Sequence, residues 1–330
     1  MVSNFAFPPR LDLAQLPTPV TELPRLSRAW DSPRLWVKRD DDTGGPLSGN
    51  KVRKLAYIVR EAIDQGADTL ITCGAVASNH CRATAIVARR LGLEPVLVLR
   101  GEKPTHPQGN YLIDCLLGAE THFVSHQAFA KRHALFERLV REKREQGRKA
   151  YVIDTGASVP LGSWGYIEAC AEIRAAQEEL GITFDAIVHA AGSGGTSCGL
   201  ELGVRLFGLS ARPWAVNVCD DEVHFRKEIH RLARATALRF KLPVTVAADE
   251  IGILDGHVGP GYGRSTPELR AFLGDVARTE GLLLDPTYSG KALHGLHREL
   301  QTERFRDAKN ILFLHTGGMF GLFAAAPDLA

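Results

Sequence analysis

From residue 68 onward the chain alternates short apolar runs with helical patterns. DTLITC (68–73) and PVLVL (95–99) are β-branched or aliphatic stretches flanked by turn residues, as expected of strands covered on both faces. Between them, SNHCRATAIVARRLG places Ala83, Ile86, Val87 and Leu91 at helical spacing, and Gly92 supplies a stop. AYVI (150–153), DAIVHA (185–190), PWAVNV (213–218) and ILFLH (311–315) repeat the strand pattern, each followed by a helical one. This alternation predicts an α/β fold with parallel sheets under helices. No fixed-period repeat or low-complexity linker interrupts it.

Several polar stretches have a plain structural reading. Segment 127–149 is rich in Lys and Arg, but Glu137, Glu142 and Glu145 interleave and Leu135, Leu139 and Val140 form a stripe. It predicts one solvated amphipathic helix, not a nucleic-acid arm. His294 and His297 stand three apart without the further ligands a metal needs. Asp220-Asp221-Glu222 follows a strand and is placed to open a helix, where negative charge suits the dipole.

Composition narrows the function. The 330 residues are 45% hydrophobic and 24% charged, a globular profile long enough for about two domains. Forty Lys+Arg against 38 Asp+Glu leave a net charge of +2, too small to point to nucleic acid or a membrane surface. No apolar run is long enough to span a bilayer, and MVSNFAFPPR lacks a signal-peptide plan, so the expected address is cytoplasmic. Six scattered cysteines contain no C-x-x-C pair, so no metal is expected and the thiols read as small apolar residues.

Three segments carry candidate chemistry. Gly44-Gly45-Pro46-Leu47-Ser48-Gly49-Asn50-Lys51 leads into a helical pattern. It is not a triphosphate loop, because Asn50 separates the glycine from the lysine and Val52 replaces the magnesium-binding hydroxyl. Lys51 then sits on a helix's first turn, where the dipole and burial lower an amine's pKa and free it for Schiff-base chemistry. A surface lysine is the plainer alternative. Gly192-Ser193-Gly194-Gly195-Thr196 joins a strand to a helix and suits a single phosphate. It lacks the third glycine and the distal acid of a dinucleotide site. Ser78-Asn79-His80 also runs from a strand end into a helix, where Ser78 serves either as a cap or as a cradle for a substrate carboxylate. An imine-forming lysine, a phosphate cradle and a carboxylate cradle together describe an amino-acid site that uses pyridoxal 5'-phosphate.

The chain resembles the D-cysteine desulfhydrase and 1-aminocyclopropane-1-carboxylate deaminase family of fold-type II pyridoxal-phosphate enzymes. The likeness runs from LPTPVTELPRLS (16–27) to HTGGMFGLF (315–323). SGNKVRKL, SNHCRATA, AGSGGT, GPGYG, DPTYSGKA and HTGG fall in the family's order. The resemblance implies two doubly wound parallel-sheet domains like those of tryptophan synthase β, with the cofactor between them. The large domain takes residues 1–49 and 162–330, the small one 50–161, and the assembly is a homodimer.

By the same resemblance Lys51 holds the cofactor covalently, Asn50 or preferably Asn79 contacts its ring hydroxyl, and Gly192 to Thr196 hold its phosphate. Ser78, Asn79 and His80 meet the substrate carboxylate, and Tyr262 and Tyr288 are the active-site tyrosines. Ring-opening deaminases carry a glutamate and a leucine where this chain has Ser289 and Thr316, the desulfhydrase-like pair. Thr316, then Ser289, is the expected partner of the pyridine nitrogen. A hydroxyl there leaves that nitrogen closer to neutral, which suffices when a good leaving group such as sulfide departs. The implied reaction is α,β-elimination. Lys51 takes the Cα proton, a proton from Tyr262, Tyr288 or water aids the leaving group, and D-cysteine yields pyruvate, ammonia and hydrogen sulfide. L-cysteate sulfo-lyase, cyclopropane deaminase or racemase activity, and a non-catalytic amino-acid-binding protein, are the alternatives. Ala75-Val76-Ala77 departs from the family's GGIQ- or GAVQ-like loop, and Met319-Phe320 resembles the plant-like branch.

Overall fold

The computed structural model describes residues 5–325. Ten strands form two sheets: β1 (Val20–Glu22), β2 (Arg34–Lys38), β3 (Thr69–Ala75), β4 (Glu94–Arg100), β5 (Glu120–Val124), β6 (Ala150–Ile153), β7 (Ala186–Ala191), β8 (Arg212–Asn217), β9 (Gly252–Leu254) and β10 (Asn310–Leu314). The smaller sheet has the order β5-β4-β3-β6 and is wholly parallel. The larger runs β1-β2-β10-β7-β8-β9 and is parallel except at β1, which pairs antiparallel with β2 at the edge. Both chain ends contribute to the larger sheet, and its neighbours β2, β10 and β7 are distant in sequence.

The six apolar runs all become strands, shifted by at most two residues. β3 and β7 are buried along nearly their whole length, because helices cover both faces. The helix Asn79–Arg90 follows β3, Gly195–Leu206 follows β7 and Met319–Ala324 follows β10. Asp221 does cap a helix, Glu222–Phe240, accepting from the His224 amide.

The basic segment 127–149 differs from expectation. It forms two helices, His126–Ala130 and Arg132–Glu145, broken at Lys131. Ser125 caps the first, while Phe136 and Leu139 of the second bury against Ile71, Cys73, Val96 and Val98. Docking sets the direction of the second helix, so the stripe does not continue through the break. His297 packs on Trp30 and Phe272, and His294 on Phe272 with Glu268 3.5 Å away. Four cysteines are buried as small core residues, but Cys115 is exposed and Cys219 half-exposed.

A buried ion cluster fixes the helix Asn50–Asp64 against the larger sheet. Arg53 forks onto Asp40 at 2.8 and 2.8 Å and reaches Glu172 at 2.7 Å, and Lys38 meets Glu172 at 2.7 Å. Tyr166 and Thr18 donate to the remaining lone pairs of Asp40 at 2.6 and 2.8 Å. Burial opposes ionisation of Asp40, yet Arg53 and Lys38 hold its carboxyl below the usual range. Such a network specifies one arrangement, since removing one partner strands a buried charge at about 3–5 kcal/mol. It lies two residues from Lys51.

Candidate active site

Three strand ends meet at one cleft. Past β3 lies Ser78, past β7 the glycine turn, and past β10 Thr316, so the carboxyl edges of both sheets face the same space. The cavity they enclose is about 300 Å³, the lower end of the range for small-molecule sites.

Glycine backbones bring SGNK and HTGG together. Gly49 and Gly317 have φ of +120° and +88°, where side chains are strained. A methyl on Gly317 would lie 2.8 Å from the Gly49 Cα, and one on Gly49 2.9 Å from the Thr316 carbonyl. That contact lets the Asn50 amide donate to the Thr316 carbonyl at 3.2 Å. Lys51 therefore enters the cavity on the first turn of the helix Asn50–Asp64, as its spacing predicted. Burial lowers its pKa to about 8.

The glycine cradle opens the helix Gly195–Leu206. Gly194 precedes it at φ +78° and, as a glycine, offers no side chain of its own to cap it. Ser158 Oγ meets Ser193 Oγ at 2.8 Å and accepts from the Gly195 amide at 3.1 Å. A methyl on Gly195 would lie 2.6 Å from Ser158 Oγ and 2.8 Å from Lys54 Nζ, filling the cradle. Gly192 approaches the Tyr288 ring, where an added methyl would lie 3.1 Å from Cε1. Asn50 Nδ2 donates to Thr196 Oγ1 at 3.1 Å. Lys54 is buried and donates to the Gly156 carbonyl at 3.3 Å, with no carboxylate paired to it among the described residues. Burial, then Lys51, drives its pKa well below the ordinary value.

The Ser78 hydroxyl is the helix cap that its position allowed, accepting from the His80 and Cys81 amides at 3.2 Å each. Asn79 faces the cavity, its Oδ1 accepting from Asn110 Nδ2 at 3.0 Å. His80 reaches the wall at 2% exposure, its Nε2 contacts Thr72 Oγ1 at 2.8 Å, and its amide donates to Ser78 Oγ. Burial, then the two lysines, hold its pKa well below the ordinary value, so the ring is neutral.

Tyr262 and Tyr288 pair through their hydroxyls, rings edge to face with centroids 5.7 Å apart. Burial raises Tyr262 to about 12 and Tyr288 well above its usual value, so both hold their protons. Lys291, one turn along from Tyr288, donates to the Val258 and Gly261 carbonyls at 2.7 Å each and so ties down the loop bearing Tyr262. Thr316 lines the cavity, 7% exposed. Ser289 does not line it. Its hydroxyl donates to Asp285 Oδ1 at 2.7 Å and accepts from the Asp285 amide at 2.9 Å, beneath the start of its helix. Asp285 also takes the Thr287, Tyr288 and Ser289 amides, which turns Ser289 inward and leaves Thr316 the hydroxyl at this end.

Sequence reasoning missed Lys54, Ser158, Lys291 and the wall residues Arg100 and Cys219. Lys54 was legible, since i and i+3 share a helix face with Lys51. Arg100 directly follows the predicted strand 95–99 and ends the observed one, at the edge where ligands bind. Ser158 and Lys291 act through contacts 30 or more residues away, which spacing does not encode.

The arrangement suits a phosphomonoester beside a reactive amine. A buried lysine with no carboxylate beside it, a glycine-opened helix start and a cradle closed by one methyl fit a dianionic tail. The pyridoxal-phosphate dependent enzyme model matches residues 11–317. The chain belongs to that family. Pyridoxal 5'-phosphate is thus its cofactor, and the two sheets with a shared cleft are the fold-type II, tryptophan synthase β-like architecture. The chain is 41% identical over 333 residues to the bifunctional D-cysteine desulfhydrase/1-aminocyclopropane-1-carboxylate deaminase, mitochondrial, of Arabidopsis thaliana, covering 96% of this chain and 80% of that protein. It is 42% identical to a putative 1-aminocyclopropane-1-carboxylate deaminase of Thermotoga maritima over 97% and 99% of the two chains. The crystal structure of an ACC deaminase homologue superposes with a TM-score of 0.89 at 37% identity, covering 98% of this chain and 95% of that one. Among the described residues no helix is long and apolar enough to cross a membrane, and no three His, Cys, Asp or Glu are grouped to hold a metal.

Proposed function

We propose that this family member eliminates the β-substituent of a small α-amino acid, with D-cysteine giving pyruvate, ammonia and hydrogen sulfide. The observation that carries the reading is one cavity holding a base and proton donors together: Lys51, with its pKa near 8, and the protonated Tyr262–Tyr288 pair. The cofactor supplies the electron sink for carbanion chemistry. Lys54 and the Gly192–Thr196 turn would hold its phosphate, Asn79 or Asn50 its ring hydroxyl and Thr316 its ring nitrogen. The substrate carboxylate would sit at the start of the helix Asn79–Arg90. Lys51 takes the Cα proton, and the tyrosine pair protonates the departing group. Thr316, a hydroxyl rather than a carboxylate, supports departure of a good leaving group over ring opening.

Opening of 1-aminocyclopropane-1-carboxylate is the second reading. All three proteins compared above carry that name, while the D-cysteine name is carried by the first of them and by relatives 36–38% identical in Yersinia enterocolitica, Serratia proteamaculans and Klebsiella pneumoniae, so by relatives alone the cyclopropane reading stands ahead. Six free thiols favour a reducing cytoplasm, and a twofold dimer completes the proposal. The test is keto-acid release from D- and L-cysteine, cysteate, β-chloroalanine and 1-aminocyclopropane-1-carboxylate. Pyruvate from D-cysteine supports the first reading; 2-oxobutyrate from the cyclopropane with no pyruvate from any β-substituted substrate establishes the second in its place.

A further inference from the structure

Arg100, the last residue of β4, lines the cavity beside the tyrosine pair. Its guanidinium carbon stands 5.7 Å from the Tyr262 ring centroid and 5.3 Å from that of Phe129. Two aromatic faces hold the group by cation–π attraction without using its five N–H donors. No carboxylate oxygen of the described residues lies within 4.0 Å of it. Asp154, the acid nearby on the chain that follows β6, is instead paired with Arg132 at 3.3 Å. Asp220 lines the same cavity, but it makes no ion pair with Arg100. A cation partly removed from water, with its donors uncommitted, is built to receive an anion.

Which anion is decided by placement. The substrate carboxylate has its cradle at Ser78 and Asn79, and the phosphate has Lys54 and the glycine turn. Arg100 shares its place with the proton donors. From this we infer that Arg100 is the leaving-group subsite, receiving the negative charge that develops on the β-substituent. The inference rests on the elimination proposed above and makes it more specific: the preferred substituents leave as oxyanions or thiolates. As Lys51 takes the Cα proton, the C–H electron pair becomes the second Cα–Cβ bond. The Cβ–S pair departs on sulfur, which stays anionic until the tyrosine pair or water returns a proton. A fixed donor at the site of developing charge acts in the transition state, and a sulfonate already charged in the ground state is also held before reaction.

The experiment compares the wild-type holoenzyme with Arg100→Gln and Arg100→Lys. One readout is keto-acid release from each enantiomer of cysteine and cysteate; the other is Cα proton exchange of each enantiomer of alanine in deuterated water. Alanine needs the base and the carboxylate cradle but has no group to lose. Arg100→Gln lowers kcat/KM for elimination by roughly tenfold or more, with the cysteate loss mainly in KM, and leaves alanine exchange within about twofold. Arg100→Lys recovers part of the elimination. Equal losses in exchange and elimination would place Arg100 at the carboxylate or in the fold and overturn the inference, as would unchanged elimination. If the wild type exchanges alanine yet eliminates nothing, the elimination reading itself falls and this subsite with it. If the wild type eliminates and Arg100→Gln does so equally well, only the subsite falls.

Discussion

Asn50 Nδ2 donates to Thr196 Oγ1 at 3.1 Å, so the helix that carries Lys51 and the helix that opens at the glycine cradle are joined by one side-chain bond. Both residues are almost buried. Neighbours that share a buried bond do not act independently. Asn50→Ala and Thr196→Ala should each weaken cofactor binding, and the double variant should lose less than the sum by about 1 kcal/mol. Cofactor titration of the four proteins measures this. Strict additivity would mean that the two helices are set by other contacts.

Lys54 should show opposite signs with and without cofactor. In the apo-protein its buried amine lacks a counter-charge, so Lys54→Met removes a desolvation cost and raises the melting midpoint. The same change removes a charge-assisted contact to phosphate and lowers cofactor affinity by about 10- to 100-fold. Melts of apo-protein and titration with cofactor separate the two effects. A variant with lowered apo stability and unchanged affinity would reduce Lys54 to a packing residue.

Lys51 makes a prediction about pH. Its pKa near 8, against an ordinary 10.5, means that the neutral amine already dominates above pH 8. Capture of added cofactor by apo-protein should rise toward pH 8 and then level off. The unfolded chain binds more protons between pH 8 and 10.5, so this residue's contribution to apo stability grows with pH across that window and is flat outside it. Lys51→Met should abolish that increment in denaturant titrations. A capture rate still climbing through pH 10 would restore an ordinary lysine.

Lys291 holds the loop of Tyr262 by two carbonyl contacts while Tyr288 sits at the start of the same helix. Lys291→Met should lower kcat by about tenfold or more with little change in cofactor affinity, because it frees a proton donor rather than the cradle. Lys291→Arg keeps a donor and should recover part of the loss. Equal damage to cofactor binding would assign Lys291 to general stability.

The parts of this site legible in the sequence were those whose chemistry is local. Lys51 after Gly49-Asn50, the turn at Gly192 to Thr196 and the cap at Ser78 each follow from one short segment, and six strands announced themselves as apolar runs, five of them largely buried and β6 a half-buried edge. The strands left unread were β1, β2, β5 and β9. β1 and β9 have three residues each, β5 is a half-buried edge, and β2 ends on Lys38, whose burial makes sense only beside Glu172. Ser289 misled for a related reason. Its place in DPTYSGK resembled a ring contact, but Asp285 four residues back draws its hydroxyl under the helix. His80 follows Ser78 and Asn79 in a row and also lines the cavity, while its Nε2 contact to Thr72 could not be read from the segment alone.

The proposed chemistry depends above all on Lys51 carrying the cofactor. Borohydride reduction of the holo-protein followed by peptide mapping reads this directly. The expected result is a single stable pyridoxyl adduct, on the peptide containing Lys51. An adduct on Lys54 or any other lysine, or none at all, would contradict it.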